Sequence, residues 1–271
     1  MQWGNLTSLD FEQAVADSAG VGIIPVGVLE PHGPHLPLGT DTFECHAVAC
    51  CAAEVEPAIV FHPYPYGINH ESAHLPGSVV IRRDLTLALL ENICDEMARH
   101  GLTKIILFSG HGGNRYMLPL FVQTIVESAK PYLVYDAQLL GVPEPEGVLE
   151  TDETGHACES ETSTALALHP TLVKMGQVPP APFTNRRRNE ALRKAGVYSP
   201  MDWYAQYPAM YVGDPGKATA AKGEALLQPR IDGLVAAIRA VKSDTVTLEL
   251  HREFHDARVR PTAPSVWTHG Q

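Results

Sequence analysis

No apolar stretch in this 271-residue chain approaches the roughly 18 residues that a membrane-spanning helix requires. Residues 1–10 lack the basic start and apolar core of a secretory leader. Both absences lead to the expectation of a soluble, cytoplasmic protein with no membrane partner. Basic residues are also scarce: 20 Lys and Arg stand against 31 Asp and Glu, a formal net charge of −11. Such a balance repels phosphate backbones, so nucleic acid is not expected as a partner. The five cysteines, Cys45, Cys50, Cys51, Cys94 and Cys158, are odd in number and show no CxxC spacing. This removes the usual zinc-ribbon and dithiol readings, and at least the first four fall in apolar helical patterns as reduced core residues. There is no internal repeat and no low-complexity segment. With 45% hydrophobic residues, the chain is long enough to bury one large core, and a single domain over residues 1–271 is expected.

The stretch Ile23 to Asp41 reads IIPVGVLEPHGPHLPLGTD. It starts as a β-branched apolar run, the mark of a strand buried on both faces, and breaks into a loop spaced by Pro and Gly. Glu30, His32, His35 and Asp41 lie in that break. Helices are expected over Ser8–Ser18, Thr42–Val55 and Asp84–His100, the last ending on Gly101 as a C-cap. Lys104–Phe108 is a second buried strand, followed by the loop Ser109-Gly110-His111-Gly112-Gly113-Asn114 and a helix from about Tyr116 to Ala129. Further strands are expected at Ala58–His62 and Pro131–Asp136. Strand, polar glycine-rich loop and helix follow one another twice, which favours an α/β fold with a mostly parallel sheet flanked by helices. Val142–Thr154 reads as a loop, residues 177–217 as a loop-rich excursion, and Gly223–Val241 as the last long helix. The tail, residues 243–271, has only a weak strand signal at Val246–Leu250.

Glu30, His32, Asp41, His111 and Glu159 fall in three loops, the first two directly after buried strands, so their side chains can converge at one edge of the sheet. Carboxylates and imidazoles in that proportion suit a pair of divalent first-row ions. The set lacks the thiolates of structural zinc and the all-oxygen shell of calcium.

The segments LEPHGPHLPLGTD, SGHGGN and HACESETS resemble the three signature segments of the creatininase family of metal-dependent amidohydrolases, and GDPGKAT (Gly213 to Thr219) resembles a fourth. The resemblance implies a compact α/β fold, a binuclear site for zinc, manganese or iron, and a homo-oligomer, often a hexamer. It also implies that Asp41 bridges the two ions, with Glu30 and His111 completing one shell and His32 and Glu159 the other. His156 resembles the family's general acid, which protonates the leaving nitrogen of a cleaved amide. Glu161 is then expected to orient a ligand or His156, the alternative being a carboxylate favoured by its helix N-terminus. His35 is expected behind the ligands, because the Gly33-Pro34 turn changes its direction, or simply hydrogen-bonded within the loop.

His70-Glu71-Ser72-Ala73-His74 matches HExxH, but prolines and glycines on both sides oppose the helix which that zinc motif needs. By resemblance the loop instead lines the pocket mouth, making His70, Glu71 and His74 candidates for substrate contact. Creatininase proper has a tyrosine where this chain has Gly112 and an aromatic residue where it has Asp152, which argues against creatinine as substrate. Trp203 is a candidate aromatic wall. The Arg186-Arg187-Arg188 run is either a solvated or subunit-facing turn or a reader of an anionic substrate. A small-molecule amide, cyclic or formyl, is the expected substrate. The alternatives are peptide trimming and a non-catalytic oligomer that binds a small ligand through its metals.

Overall fold

The computed structural model describes residues 1–137, 144–259 and 261. Residues 142 and 143 of the expected acidic loop and residues 260 and 262–271 of the expected tail lie outside them. In chain order the elements are α1 (Ser8–Asp17), β1 (Val21–Val26), α2 (Thr40–Val55), β2 (Ile59–Val60), α3 (Arg83–Arg99), β3 (Lys104–Ser109), α4 (Asn114–Thr124) and β4 (Leu133–Ala137). There follow α5 (Glu159–Leu168), α6 (Glu190–Lys194), α7 (Asp202–Gln206), α8 (Ala220–Ser243) and α9 (Thr247–Val259).

The four strands form a parallel sheet in the order β2-β1-β3-β4. Alternate residues of each central strand face opposite layers. Ile24 and Val26 of β1 and Ile105 and Leu107 of β3 pack on α1, α3 and α4 through Leu90, Met97, Met117 and Phe121. Val21 and Ile23, with Ile106 and Phe108, pack on α2 and α8 through Val48, Ala49, Leu234 and Ile238. The result is a helix–sheet–helix sandwich, as the apolar runs implied.

In this strand order the chain leaves β1 toward β2 on one side, while β3 leads to β4 on the other. A crevice therefore opens between the carboxyl ends of β1 and β3, the usual place for a site in a sheet of this kind. The loops after those two strands carry Glu30, His32 and His111, and α2 begins just before Asp41. Gly110 lets them close up: a Cβ there would collide with the Asp41 carbonyl oxygen and the Cys45 side chain.

The strand signal at Val246–Leu250 is overturned, because Thr247–Val259 is a helix. Asp244 Oδ1 accepts from the backbone amides of Val246 and Thr247 at 3.0 Å each and so starts it. His251 Nε2 then accepts from the Lys130 amide at 3.2 Å and docks it beside the α4–β4 connection. Capping and a contact 121 residues away in sequence outweigh a short local propensity.

Candidate functional site: a buried carboxylate–imidazole cluster

Glu30, His32, Asp41, His111, His156 and Glu161 meet at this crevice. His32 Nε2 lies 3.0 Å from Asp41 Oδ1 and 3.7 Å from Glu161 Oε2. His111 Nδ1 lies 3.0 Å from Asp41 Oδ2 and 3.2 Å from Glu30 Oε1. His156 Nδ1 is 3.7 Å from Glu30 Oε1, and its ring packs on that of His32 with centroids 4.1 Å apart. Asp41 thus touches both imidazoles with separate oxygens. Three donor sets have atoms close enough to share a cation: Glu30, His32 and His156; Glu30, Glu71 and His111; His32, Asp41 and Glu161.

Each imidazole has one nitrogen tied to oxygen and the other turned to the carboxylates. His32 Nδ1 donates to the Glu30 carbonyl at 3.1 Å, His156 Nε2 to the Pro31 carbonyl at 2.8 Å, and His111 Nε2 to Glu71 Oε1 at 3.3 Å. These bonds fix the tautomers and leave His32 Nε2 and His111 Nδ1 with lone pairs aimed inward when neutral.

Both Glu30 carboxylate oxygens and Asp41 Oδ2 are buried and, among the described residues, have no well-aligned hydrogen-bond donor, the nearest being His111 Nδ1. Burying a carboxylate so is costly unless a positive charge compensates it. Protons take that role in the metal-free protein. Burial opposes charge on His32, yet Asp41 beside it pushes its pKa up to about 10. His111 is likewise raised well above the ordinary imidazole value: burial opposes the charge, and Glu30 and Asp41 outweigh it. For Asp41 burial again opposes ionisation, and the two imidazoles hold its carboxyl well below the usual range. Glu161 is raised, chiefly by burial. A donor set of two imidazoles and three carboxylates, with unmatched acceptor oxygens between them, fits divalent cations.

Glu159 does not join this cluster, which corrects the sequence expectation. It is the first residue of α5, and its carboxylate accepts from the Thr151 amide at 2.9 Å, the Thr151 hydroxyl at 2.7 Å and Lys222 Nζ at 2.5 Å. Glu161, two positions on, turns back instead and accepts from the Ala157 amide at 2.6 Å, in the manner of a capping glutamate. Ala157 adopts φ 55°, the left-handed turn that sets this entry angle. The helix itself separates the two carboxylates by about 200° around its axis. Cys158, just before the helix, is buried with its sulfur accepting from the Gly155 amide, and burial pushes its thiol up to about 11, so it is a packing residue.

A cavity of about 1040 Å³ opens on the cluster. His70, Glu71, His74, Gly112 and Trp203 line it, as expected of them. The HExxH segment forms a single 3-10 turn, His70–Ser72, with His74 Nε2 donating to the Pro208 carbonyl at 2.7 Å while Glu71 faces His111, so no zinc-helix geometry exists there. A Cβ on Gly112 would meet only Arg115 Nη1, at 4.0 Å, which leaves open space at that position. Trp203 stands edge-on to His156 at 6.1 Å. Asp152 is exposed and does not line the cavity, a second correction: its neighbour Thr151 is drawn to Glu159, and Glu153 to the Tyr207 hydroxyl at 3.0 Å. His35 is buried behind the loop and pairs through Nε2 with the Thr162 hydroxyl at 2.9 Å. Arg188 binds the Tyr204 and Ala205 carbonyls and braces α7; none of Arg186, Arg187 and Arg188 reaches the cavity. Sequence reasoning expected Glu161 beside the ligands but not as a member of a cation-binding set, and did not anticipate Glu71 holding His111 or Arg83 and Arg115 on the cavity wall. Only the first carried a signal, since a glutamate at the third helical position commonly reaches back to the preceding loop.

Comparison with known proteins agrees with this architecture. The profile of the creatininase family, described as creatinine amidohydrolase, matches residues 4–238. A creatinine amidohydrolase of Pseudomonas putida is 29% identical over 87% of this chain and 95% of its own. A mycofactocin precursor peptide peptidase of Mycolicibacterium smegmatis is 30% identical over 82% of this chain and 85% of its own. A manganese form of a creatininase and a zinc–zinc form of a creatininase variant, each 25% identical, superpose with TM-scores of 0.69 and 0.67. Both alignments cover 90% of this chain, and 99% and 98% of those proteins respectively. The chain belongs to the creatininase family and is a hydrolase.

Proposed function

We propose that the protein is a metal-dependent amidohydrolase that holds two divalent cations, zinc, manganese or iron, and cleaves a cyclic or formyl amide C–N bond of a small molecule. The observation that carries this reading is the set of buried oxygens on Glu30 and Asp41 that lack a well-aligned donor and face the inward nitrogens of His32 and His111. Asp41, with one oxygen toward each imidazole, is suited to bridge the two positions. Glu30 and His111 would complete one, and His32 and Glu161 the other. Cations bound there would activate a water and polarise the amide carbonyl.

The remaining work falls to side chains around the cluster. His156 is held by its Nε2 bond to Pro31, which leaves Nδ1 facing the reaction space beside Glu30. From that atom His156 would give a proton to the departing nitrogen, which as an amide anion is too basic to leave. Trp203 shields the ring on its outer side, and Glu71 keeps His111 in the orientation that binding needs. Gly112 leaves unfilled the place of the tyrosine of creatininase proper, which argues for a substrate other than creatinine. A homo-oligomer, hexameric by analogy with the family, and a cytoplasmic location belong to the same proposal.

The test is metal quantitation on the purified protein together with hydrolysis of a panel of lactams and formamides. Two ions per chain and chelator-sensitive release of the amine support the reading. Metal-loaded protein that binds a member of the panel and cleaves none would favour the non-catalytic binding alternative.

A further inference from the structure

The cavity is divided by charge and by exposure. Its inner end is the cluster, with Glu30 at 0%, Asp41 at 5%, His111 at 6% and His156 at 5% exposure. Its outer wall is aromatic and apolar, with Tyr116 at 60%, Tyr198 at 63%, Met201 at 55% and Leu120 at 50% exposure. A volume of about 1040 Å³ stands at the top of the range for sites that hold drug-sized ligands, and far exceeds what a lone small ring fills.

Two guanidinium groups stand on that wall, on Arg83 and Arg115. The side chain of Arg83, the first residue of α3, has no hydrogen bond, ion pair or ring contact with any described residue. Arg115 donates to the Gly112 carbonyl at 3.0 Å and lies 4.7 Å over the Tyr116 ring, with no carboxylate partner among the described residues. Several cations away from the cavity have found acids, among them Arg82 with Asp84, Arg99 with Glu96, Lys130 with Asp95, Lys222 with Glu159, and Arg230 with Glu44, while Arg188 and Arg258 bind backbone carbonyls instead. In a chain with 31 acidic and 20 basic residues, carboxylate is the abundant partner, yet among the described residues the two arginines that line the cavity have none. The outer acid Asp202 is no counter-ion to them, because its oxygens accept from Asn189 Nδ2 at 2.6 Å and Gln206 Nε2 at 2.9 Å.

We infer that the substrate is an extended amide with a flat, apolar body and an anionic group, carboxylate or phosphate, at the end remote from the scissile bond. The amide enters the cluster, the body lies along the aromatic wall, and the anion is received by Arg83 and Arg115. This rests on the amidohydrolase reading for the placement of the amide, while the anion-binding half stands on the arginines alone.

The experiment compares formanilide with formanilides bearing a meta or para carboxymethyl or phosphonomethyl group. Binding by calorimetry and release of the aniline are both measured, for the metal-loaded protein and for Arg83→Gln and Arg115→Gln. The expected result is binding on the order of tenfold tighter or more for at least one anionic compound, with that ratio collapsing toward unity in both variants and restored in part by Arg→Lys. The carboxymethyl and phosphonomethyl compounds separate carboxylate from phosphate preference, and the meta and para series reports where along the wall the anion is received. If the anionic and neutral compounds bind equally, or the ratio survives in both variants, the inference fails, whether or not amides are cleaved. Selective, arginine-dependent binding without cleavage would instead keep the anion site and overturn the amidohydrolase reading.

Discussion

Glu159 and Glu161, two positions apart at the start of α5, face opposite ways: Glu161 Oε2 lies 3.7 Å from His32 Nε2, whereas Glu159 Oε1 lies 2.5 Å from Lys222 Nζ on α8. One carboxylate completes the cluster, and the other anchors the loop of Glu150 and Thr151 away from it. Glu161→Ala is therefore expected to lower metal content and to reduce turnover on the order of a hundredfold or more. Glu159→Ala should keep its metals and instead lose about 1–3 kcal/mol of stability in urea unfolding, since it leaves the Thr151 amide unpaired and Lys222 with only Glu150 and the Lys217 carbonyl. Metal loss in the Glu159 variant with none in the Glu161 variant would reverse the assignment.

Asp41 offers one oxygen to His32 and the other to His111. Asp41→Ala should deplete both cation positions together, and metal quantitation checks it. Retention of both ions at wild-type affinity would remove Asp41 from its bridging place.

His156 contributes a proton rather than a necessary ligand in the proposed chemistry. His156→Ala should keep both ions while turnover falls by about 10²–10⁴. A variant that loses one ion instead would mean that the set Glu30, His32 and His156 is the one occupied.

Cation loading should be coupled to proton release. Asp41 raises the pKa of His32 to about 10 in the metal-free protein, above its unfolded value, so the ring is protonated at neutral pH. That charge contributes stability fully below about pH 6.5 and loses it as pH climbs through about 10. A cation must displace the proton, so apparent metal affinity should rise with pH over the same window, and loading at pH 7 should release protons. Calorimetry in buffers of different ionisation enthalpy measures the release; identical heats in all buffers would contradict it.

Much of this site is legible in the chain because it hangs on two strands. The β-branched runs leading to Glu30 and into His111 mark β1 and β3, and a parallel order brings their carboxyl ends together. What the sequence does not reveal depends on distant partners. Lys222, 63 residues from Glu159, decides which α5 carboxylate turns inward, together with the left-handed Ala157. The Asp244 cap and the Lys130 contact make α9 a helix where Val246–Leu250 alone suggests a strand. Asp152 was placed in the site by alignment of a loop whose path is set by Glu159 and Tyr207. Such contacts leave no local period to read.

The positions of the two ions decide the assignment of the cluster. Anomalous diffraction from crystals of the manganese- or zinc-loaded protein should give two peaks flanking the Asp41 carboxylate, one within about 2–2.3 Å of Glu30 and His111 atoms and one within that distance of His32 and Glu161. A peak at Glu159, or a loaded crystal with none beside Asp41, would contradict it.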